Sequence, residues 1–212
     1  MKKKRYCFLP AVLFLLLWTL FTLYPQPSKL AVSLYRLFHL PVNSSLEEVQ
    51  YLAVETLDNC PAAIRSFVLD SFPYHYDWEV YRLPWYFPTA KEAFANGRGD
   101  CKTRAVVTAS LLEAKEEAYT VRASPTHIWV EHEKKPPSPI EREEQVLIAF
   151  EEDVSFRLPS VDWARSWRLF REAFWEHMPY DKKMSLGGGL VAFLMIALTP
   201  TETVLLRFKK DS

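Results

Sequence analysis

The chain has 212 residues, a formal net charge of zero and a hydrophobic fraction of 49%. This length provides for one well-buried domain plus membrane segments, but hardly for two independent domains. Lysine and arginine are scattered along the sequence, so the electrostatic footprint of a nucleic-acid-binding protein is absent. The three cysteines form no CxxC pair and the five histidines are dispersed, which argues against a structural zinc site. We therefore expect no nucleic-acid partner and no bound metal.

The N-terminus has the pattern of a membrane anchor. A basic tail at residues 1–5 precedes an uncharged apolar run at residues 6–24, long enough as a helix to cross a hydrocarbon core of about 30 Å. The run ends in prolines rather than in small residues, which favours an uncleaved signal anchor over a cleaved signal peptide. Only Lys29 closely follows the span, so we expect a cytoplasmic tail in a bacterial plasma membrane and a domain on its periplasmic or extracellular side.

A second apolar stretch, residues 186–208, is less regular. Three glycines, Pro200 and Glu202 interrupt it, and a glutamate in hydrocarbon costs on the order of 2 to 3 kcal/mol unless it lies near the interface. We predict a second transmembrane helix here, with an interfacial or buried helix as the alternative. Between the two stretches we predict a juxtamembrane segment at residues 25–45 and a single domain at residues 46–180.

Capping residues and hydrophobic spacing predict helices in the first half of this domain. Ser45 and Glu48 have capping-box spacing before one helix, and Pro61 opens the next. An aromatic, proline-interrupted stretch at residues 74–88 is predicted to be an irregular loop. Thr89 and Glu92 then have capping-box spacing for a short helix that is expected to end at Gly97.

The second half of the domain changes from helical to alternating periodicity. The most regular helical pattern follows Asp100 and extends to about Ala118. An aromatic stripe on the last amphipathic helix is expected to face either the core or the membrane. The predicted strands are 119–123, 127–132 and 145–150, the proline-rich stretch 135–142 is predicted to be an exposed loop, and the last helix is predicted at 160–177.

Cys101 lies where a reactive thiol is expected. The sequence Gly97-Arg98-Gly99-Asp100-Cys101 combines glycines that permit a tight turn with an aspartate suited to the N-cap. Cys101 then becomes the first residue of a helix, where unpaired backbone N–H groups and the helix dipole favour a thiolate. We therefore predict that Cys101 is a nucleophile.

His127 is the predicted proton carrier, because it begins a strand that presents it from a rigid element. A third group is needed to orient the imidazole, and we expect the strand at 145–150 to pair with the His127 strand and supply it. Side-chain alternation favours Glu151 as this group, with Asp153 as the second choice. A cysteine on a helix and a histidine on a strand form the papain-type arrangement.

Residues 72–150 resemble the transglutaminase-like superfamily. The resemblance rests on Tyr74-x-Tyr76, on the motif from Ala95 to Cys101, on the helix of small residues after it, and on His-x-Trp-Val-Glu from His127. It implies an α+β papain-like core, with a helical subdomain and a small antiparallel sheet. It also implies a peptidase, amidase or transamidase that forms a thioester on Cys101, uses His127 as general acid and base, needs no metal or organic cofactor, and acts on peptides or proteins, including cell-wall peptides.

Two other interpretations of these residues remain open. The domain could be a catalytically inactive transglutaminase-like module that serves as a membrane-tethered binding or scaffold unit. Cys101 could also form a disulfide with Cys60, since the domain is expected in an oxidising compartment.

Overall fold

The computed structural model describes residues 8–53, 60–133, 135, 138, 141–150, 154–158 and 160–199. Within this part of the chain the fold is α+β, with long stretches of helix and a small antiparallel sheet, which confirms the predicted α+β class. The helices are α1 (Phe8–Leu23), α2 (Ser28–Phe38), α3 (Glu47–Tyr51), α4 (Pro61–Ser71), α5 (Asp77–Val80), α6 (Ala90–Asn96), α7 (Cys101–Ala114), α8 (Trp163–Phe170) and α9 (Tyr180–Leu198). The strands are β1 (Tyr119–Ala123), β2 (Ile128–His132), β3 (Ile148–Phe150) and β4 (Val154–Phe156).

The chain divides into two compact units. In the first, the described residues up to Lys29 join those from Met178 onward, and residues 30–177 form the second. No single described helix is both long and apolar enough to cross a membrane, whereas α1 and α2 meet the criterion of length and composition together as a pair bent at the break between them.

Helices α1 and α9 pack side by side within the first unit. Gly189 permits the close approach, because a Cβ at this position would collide with the indole ring of Trp18. Trp18 Nε1 donates a hydrogen bond of 2.8 Å to the carbonyl oxygen of Ser185, and Lys182 Nζ donates one of 2.7 Å to the carbonyl oxygen of Thr22. Polar groups of this largely apolar helix pair therefore find partners inside the pair.

The two predicted capping boxes have different outcomes. At the start of α6, Glu92 N donates to Thr89 Oγ1 at 3.2 Å and Thr89 N donates to Glu92 Oε2 at 2.7 Å, as predicted. The predicted cap at Ser45 is wrong, because Leu46 is the N-cap residue of α3 and no side chain caps it. The hydroxyl of Ser45 instead donates to Asn43 Oδ1 at 2.9 Å.

Helix α7 is the centre of the second unit, and residues from α3, α4, α6 and the sheet pack around it. Its small and branched side chains permit this enclosure, and Val107, Leu111 and Leu112 are fully buried. The helix ends at Ala114 rather than near Ala118, since Glu116 has a left-handed φ of 58°.

The sheet has the strand order β2-β1-β3-β4. Arg122 of β1 faces Trp129 of β2 on one side and Ala149 of β3 on the other, so β1 separates the other two strands. The prediction that residues 145–150 pair directly with the His127 strand is therefore wrong. Strand β3 is also shorter than predicted, because Glu143–Gln145 form a 3-10 turn before it.

The last amphipathic helix lies inside its predicted range of 160–177 and begins at Trp163. Helix α8 continues as a π-helical segment at Arg171–Glu176. Its aromatic stripe is exposed, with Trp163 at 78% and Trp167 at 66% of their full accessibility. The stripe is therefore not part of the core, and the expectation that it faces a membrane stays a prediction. Trp78 Nε1 ties this segment to the rest of the unit by donating to the carbonyl oxygen of Phe174 at 2.9 Å.

Candidate active site

Cys101 is the first residue of α7, as the sequence predicted. Asp100 is the N-cap residue, and its carboxylate accepts hydrogen bonds from the backbone N–H groups of Lys102 at 3.0 Å and Thr103 at 3.5 Å. The N–H of Cys101 itself has no acceptor within the helix, because the first turn of any helix leaves its donors unpaired. The sulfur therefore lies beside a free backbone donor and the positive end of the helix dipole.

Two glycines shape the loop that leads to Cys101. Gly97 ends α6 with a left-handed φ of 60°, a conformation that glycine adopts without steric cost. Gly99 is required by close packing, since a Cβ there would collide with the side chain of Thr103. The backbone of Gly99 pairs with the segment around Tyr74: its N–H donates to Pro73 O at 3.2 Å, and His75 N donates to its carbonyl at 3.0 Å.

This pairing places Tyr74 next to the nucleophile. Burial, and the charge interaction with the nearby Cys101, raise the pKa of the Tyr74 phenol above its ordinary value. The phenol therefore stays protonated and can donate a hydrogen bond. The Arg104 guanidinium lies 5.5 Å from the centre of the Tyr74 ring, a distance typical of a cation–π contact.

A buried cluster of charges supports the first turn of α7. The ammonium group of Lys102 contacts the carboxylate of Asp100 and lies 2.9 Å from Asp77 Oδ2. Asp77 also accepts a hydrogen bond of 2.8 Å from the backbone N–H of Tyr86. Burial alone would lower the pKa of Lys102, but the two carboxylates outweigh it and raise that pKa well above its ordinary value. The cluster fixes the helix start to the aromatic segment before it.

His127 lies one residue before β2, at the end of the turn that joins β1 to β2. Ser124 shapes this turn: its hydroxyl accepts from His127 N at 3.0 Å, and its own N–H donates to His127 O at 2.7 Å. The imidazole stacks on the indole of Trp129, with 5.7 Å between ring centres and 13° between ring planes. The stacking on Trp129 therefore restricts the ring from one side.

Cys101 and His127 are brought together, as predicted. Burial alone would lower the pKa of His127, but hydrogen bonds and charge interactions with Cys101 and Glu141 outweigh it and raise the pKa to about 9. The imidazole is therefore cationic at neutral pH. A cationic imidazole beside a sulfur stabilises the thiolate, the form in which cysteine is a nucleophile.

Glu141 supplies the carboxylate behind His127, and the sequence did not reveal it. Glu141 Oε1 lies 3.5 Å from His127 Nε2, and Oε2 lies 2.8 Å from Lys135 Nζ. Burial opposes ionisation of Glu141, but its hydrogen bonds with His127 and Lys135 lower its pKa to about 2. The carboxylate is therefore anionic at neutral pH and stabilises the protonated imidazole.

The prediction of an exposed loop at residues 135–142 is wrong at two positions. The side chains of Lys135 and Glu141 are 4% and 10% exposed, because each neutralises the other and His127 completes the contact. No periodic pattern marks Glu141 in this proline-rich stretch, and its pairing with His127 is a tertiary contact. Glu151 and Asp153, the two candidates for the third group, lie outside the described residues.

Cys101, His127 and Glu141 line one pocket of about 170 Å³ in the second unit. Cys60 is exposed and both Cys60 and Cys101 are free thiols, so the alternative of a disulfide between them is not realised in this structure. Across the described ranges, no group of three or more His, Cys, Asp or Glu side chains could hold a metal ion. The arrangement can form and stabilise a thiolate and can move a proton between sulfur and an incoming or leaving group.

No protein-family model, curated protein or solved structure matches the chain.

Proposed function

We propose that this protein is a membrane-anchored, transglutaminase-like thiol acyltransferase or hydrolase with a papain-like core. The observation that supports the proposal is the convergence of Cys101, His127 and Glu141 on one pocket, with a contact from sulfur to imidazole to carboxylate. A thiol at a helix N-terminus, a histidine at a strand end and a buried carboxylate behind it are the parts that cysteine-dependent acyl transfer requires.

In the first step, the Cys101 thiolate attacks the carbonyl carbon of an amide or peptide bond. The carbonyl oxygen becomes an oxyanion, which accepts from the backbone N–H of Cys101 and from the protonated phenol of Tyr74. The C–N bond then breaks and the His127 imidazolium gives its proton to the departing nitrogen. The products of this step are a thioester on Cys101, a free amine and a neutral imidazole.

In the second step, water or a second amine attacks the thioester carbonyl. Neutral His127 takes a proton from this nucleophile, the C–S bond breaks, and the sulfur leaves as a thiolate that again faces an imidazolium. Attack by water makes the enzyme a peptidase or amidase, whereas attack by an amine makes it a transamidase. The chemistry needs no metal or organic cofactor at either step.

Glu141 orients His127 and stabilises its cationic form in this mechanism. Its role matches that of the carboxylate in a Ser-His-Asp triad, which holds the imidazole and does not itself become protonated. Lys135 keeps the Glu141 carboxylate in place from the opposite side, at 2.8 Å.

The substrates proposed for this site are peptides or proteins, including cell-wall peptides. The apolar run at residues 6–24 anchors the chain in a bacterial plasma membrane, and residues 186–208 form a second span. The basic residues before the first span place the domain on the periplasmic or extracellular side. Such a location gives the domain access to the cell wall and to exported proteins.

Labelling with a thiol-directed acylating probe tests the proposal. We expect Cys101 of the detergent-solubilised full-length protein to be acylated faster than any other thiol, and Cys101→Ala to abolish this fast labelling while its thermal unfolding transition is retained. Cys60→Ala is the matched control, since Cys60 is the exposed free thiol, and its loss should leave Cys101 labelling unchanged. Labelling that persists in Cys101→Ala at the wild-type rate would contradict the proposal.

A further inference from the structure

The pocket is a groove whose lining includes residues beyond the reactive pair. Its floor is one face of α7, on which residues recur at helical spacing, and its walls come from α4 and β2. The lining residues that carry the argument are Cys101 and Thr108 of α7, Arg65 and Val68 of α4, and Val130 and His132 of β2.

The direction of the groove follows from where the elements begin and end. Helix α4 ends next to the start of α7, since Pro73 O accepts from Gly99 N at 3.2 Å and Phe72 O accepts from Arg104 Nε at 2.9 Å. Residues earlier in α4 therefore lie farther from Cys101. Arg65 precedes Phe72 by seven residues, which corresponds to about 10 Å along a helix.

Thr108 and His132 lie toward the same far end. Thr108 follows Cys101 by two turns of α7, again about 10 Å, and His132 is the last residue of the strand that His127 precedes. The stretch between the two ends is apolar, since Val68, Val130 and neighbouring aliphatic side chains form it. The groove thus has a reactive end, an apolar middle and a polar end.

Arg65 gives the polar end a cation that has no counter-ion among the described residues. It makes no hydrogen bond or ion pair with any residue in the described part of the chain, although its side chain is only partly exposed. The carboxylate that lines the groove, Glu141, is already paired with Lys135 and His127. A guanidinium with free donors binds carboxylates in a bidentate manner.

His132 provides an independent indication of a ligand at this end. The side chain is buried, at 7% exposure, and its Nδ1 lies 2.9 Å from the carbonyl oxygen of Glu133. Nδ1 therefore carries the proton and donates, which leaves Nε2 as an acceptor. Nε2 is buried and has no hydrogen-bond partner among the described residues. An N–H group of a ligand would supply the missing hydrogen bond to Nε2.

We propose that the far end of the groove binds a free carboxylate of the substrate, with Arg65 as its counter-ion and His132 accepting an adjacent amide N–H. The inference rests on the proposed function and specifies its substrate class. The substrates are peptides with a free carboxylate about 10 Å from the attacked carbonyl, or about three extended residues, joined to it by an apolar stem. A carboxylate next to an amide N–H is the arrangement at a peptide C-terminus.

Two reagents that differ only in their terminal group, a carboxylate or a neutral carboxamide at the required distance, test the proposal. 6-(Iodoacetamido)hexanoate carries a carboxylate about 10 Å from its reactive carbon, with an amide N–H and an apolar stem between, and 6-(iodoacetamido)hexanamide is its neutral counterpart. We expect the acid to alkylate Cys101 of the full-length protein in detergent at least tenfold faster than the amide does.

Arg65→Gln should bring the two rates close together, because it removes the counter-ion and retains a polar side chain. Lys91→Gln is the matched control: Lys91 is exposed on α6 and does not line the groove, so the ratio should stay at its wild-type value. Equal rates in the wild type, or a ratio that survives Arg65→Gln, would overturn the inference.

Binding to the Cys101→Ser protein separates this inference from the proposed function. By calorimetry, 6-acetamidohexanoate should bind at least tenfold more tightly than 6-acetamidohexanamide, and Arg65→Gln should abolish the difference. A wild type that reacts with neither iodoacetamide while Cys101→Ser binds the acid would count against the chemistry and support the carboxylate site. Rapid alkylation of Cys101 without a preference for the acid would support the reactive thiol and count against the carboxylate site.

Discussion

Glu141 Oε2 and Lys135 Nζ lie 2.8 Å apart, and both side chains are almost fully enclosed. Breaking a buried pair costs far more than breaking an exposed one, because the remaining charge has no solvent to receive it. The lysine therefore fixes which carboxylate oxygen faces His127. The orientation of the imidazole in the site depends on this contact, which lies outside the Cys101 and His127 motifs.

Glu141→Gln should lower the pKa of His127, because a neutral amide no longer stabilises the imidazolium. A fall of about one unit is expected, at the lower end of the effect of one nearby opposite charge, together with slower acylation of Cys101. NMR titration of the His127 ring measures the shift. Glu143→Gln is the control, since Glu143 is 68% exposed and pairs only loosely with Arg122 and Arg157. An unchanged His127 titration in Glu141→Gln would contradict the assigned role.

The free energy of unfolding should decrease on the alkaline side as His127 loses its proton. The pKa is raised from 6.5 to about 9 in the folded protein, so this contribution is fully present below pH 6.5 and is lost as the pH rises to about 9. Its upper size is about 3 kcal/mol. Denaturant unfolding between pH 6 and 10 measures it, and Cys101→Ala should reduce the decrease because the imidazolium loses one of its two partners while Glu141 remains. A wild-type curve that is flat across this range would contradict the assignment.

The free energy of unfolding should also decrease at acidic pH. The pKa of Glu141 is lowered from 4.5 to about 2, so its contribution is present above pH 4.5 and is lost as the pH falls toward 2. Glu141→Gln should remove this decrease and leave the background of other carboxylates. If the free energy of unfolding decreases equally at acidic pH in the variant and the wild type, this would argue against the pairing of Glu141 with His127 and Lys135.

Lys102→Met should destabilise the domain by about 3 to 5 kcal/mol, because it leaves Asp77 and Asp100 buried without their cation. Adding Asp77→Asn should restore part of the loss, since one of the two uncompensated charges is then removed. Chemical denaturation of the single and double variants measures both effects. Lys91→Met, on an exposed face of α6, should change stability by less than about 0.5 kcal/mol. A Lys102→Met protein of wild-type stability would show that the cluster is not a structural support.

Tyr74→Phe should separate acyl transfer from simple alkylation. Acylation forms an oxyanion that the phenol can stabilise, so its rate should fall by at least about tenfold. Alkylation by iodoacetamide forms no oxyanion, and its rate should stay within about twofold. Tyr76→Phe is the control, because the Tyr76 hydroxyl donates to Glu172 at 2.7 Å rather than facing the sulfur. Equal losses in both reactions would indicate a structural role for Tyr74.

Local signals in the sequence predicted much of this fold. Strand β1 has the predicted bounds, and α7 begins at Cys101 with Asp100 as its cap, because alternation and N-capping depend on neighbouring residues alone. The predicted end of α7 is wrong, because the helical pattern of the sequence extends to Ala118 whereas the chain leaves the helix at the left-handed Glu116. Helix propensity does not predict a left-handed conformation at a glutamate.

The remaining differences depend on tertiary structure. The order of strands in the sheet depends on which strands pair edge to edge, and spacing alone cannot distinguish a β3 next to β2 from a β3 next to β1. The role of Glu141 likewise follows only from its tertiary contacts, because an isolated carboxylate in a proline-rich stretch is ordinarily solvated. Cys101 and His127 were predictable because each sits at a recognisable element boundary.

The supports of α7 and the reactive sulfur are separate parts of this molecule. The Lys102 cluster, the Gly99 pairing and the Asp100 cap hold the helix start without using the thiol of Cys101. Replacement of Cys101 alone should therefore remove the proposed nucleophile and leave in place the contacts that hold the start of α7.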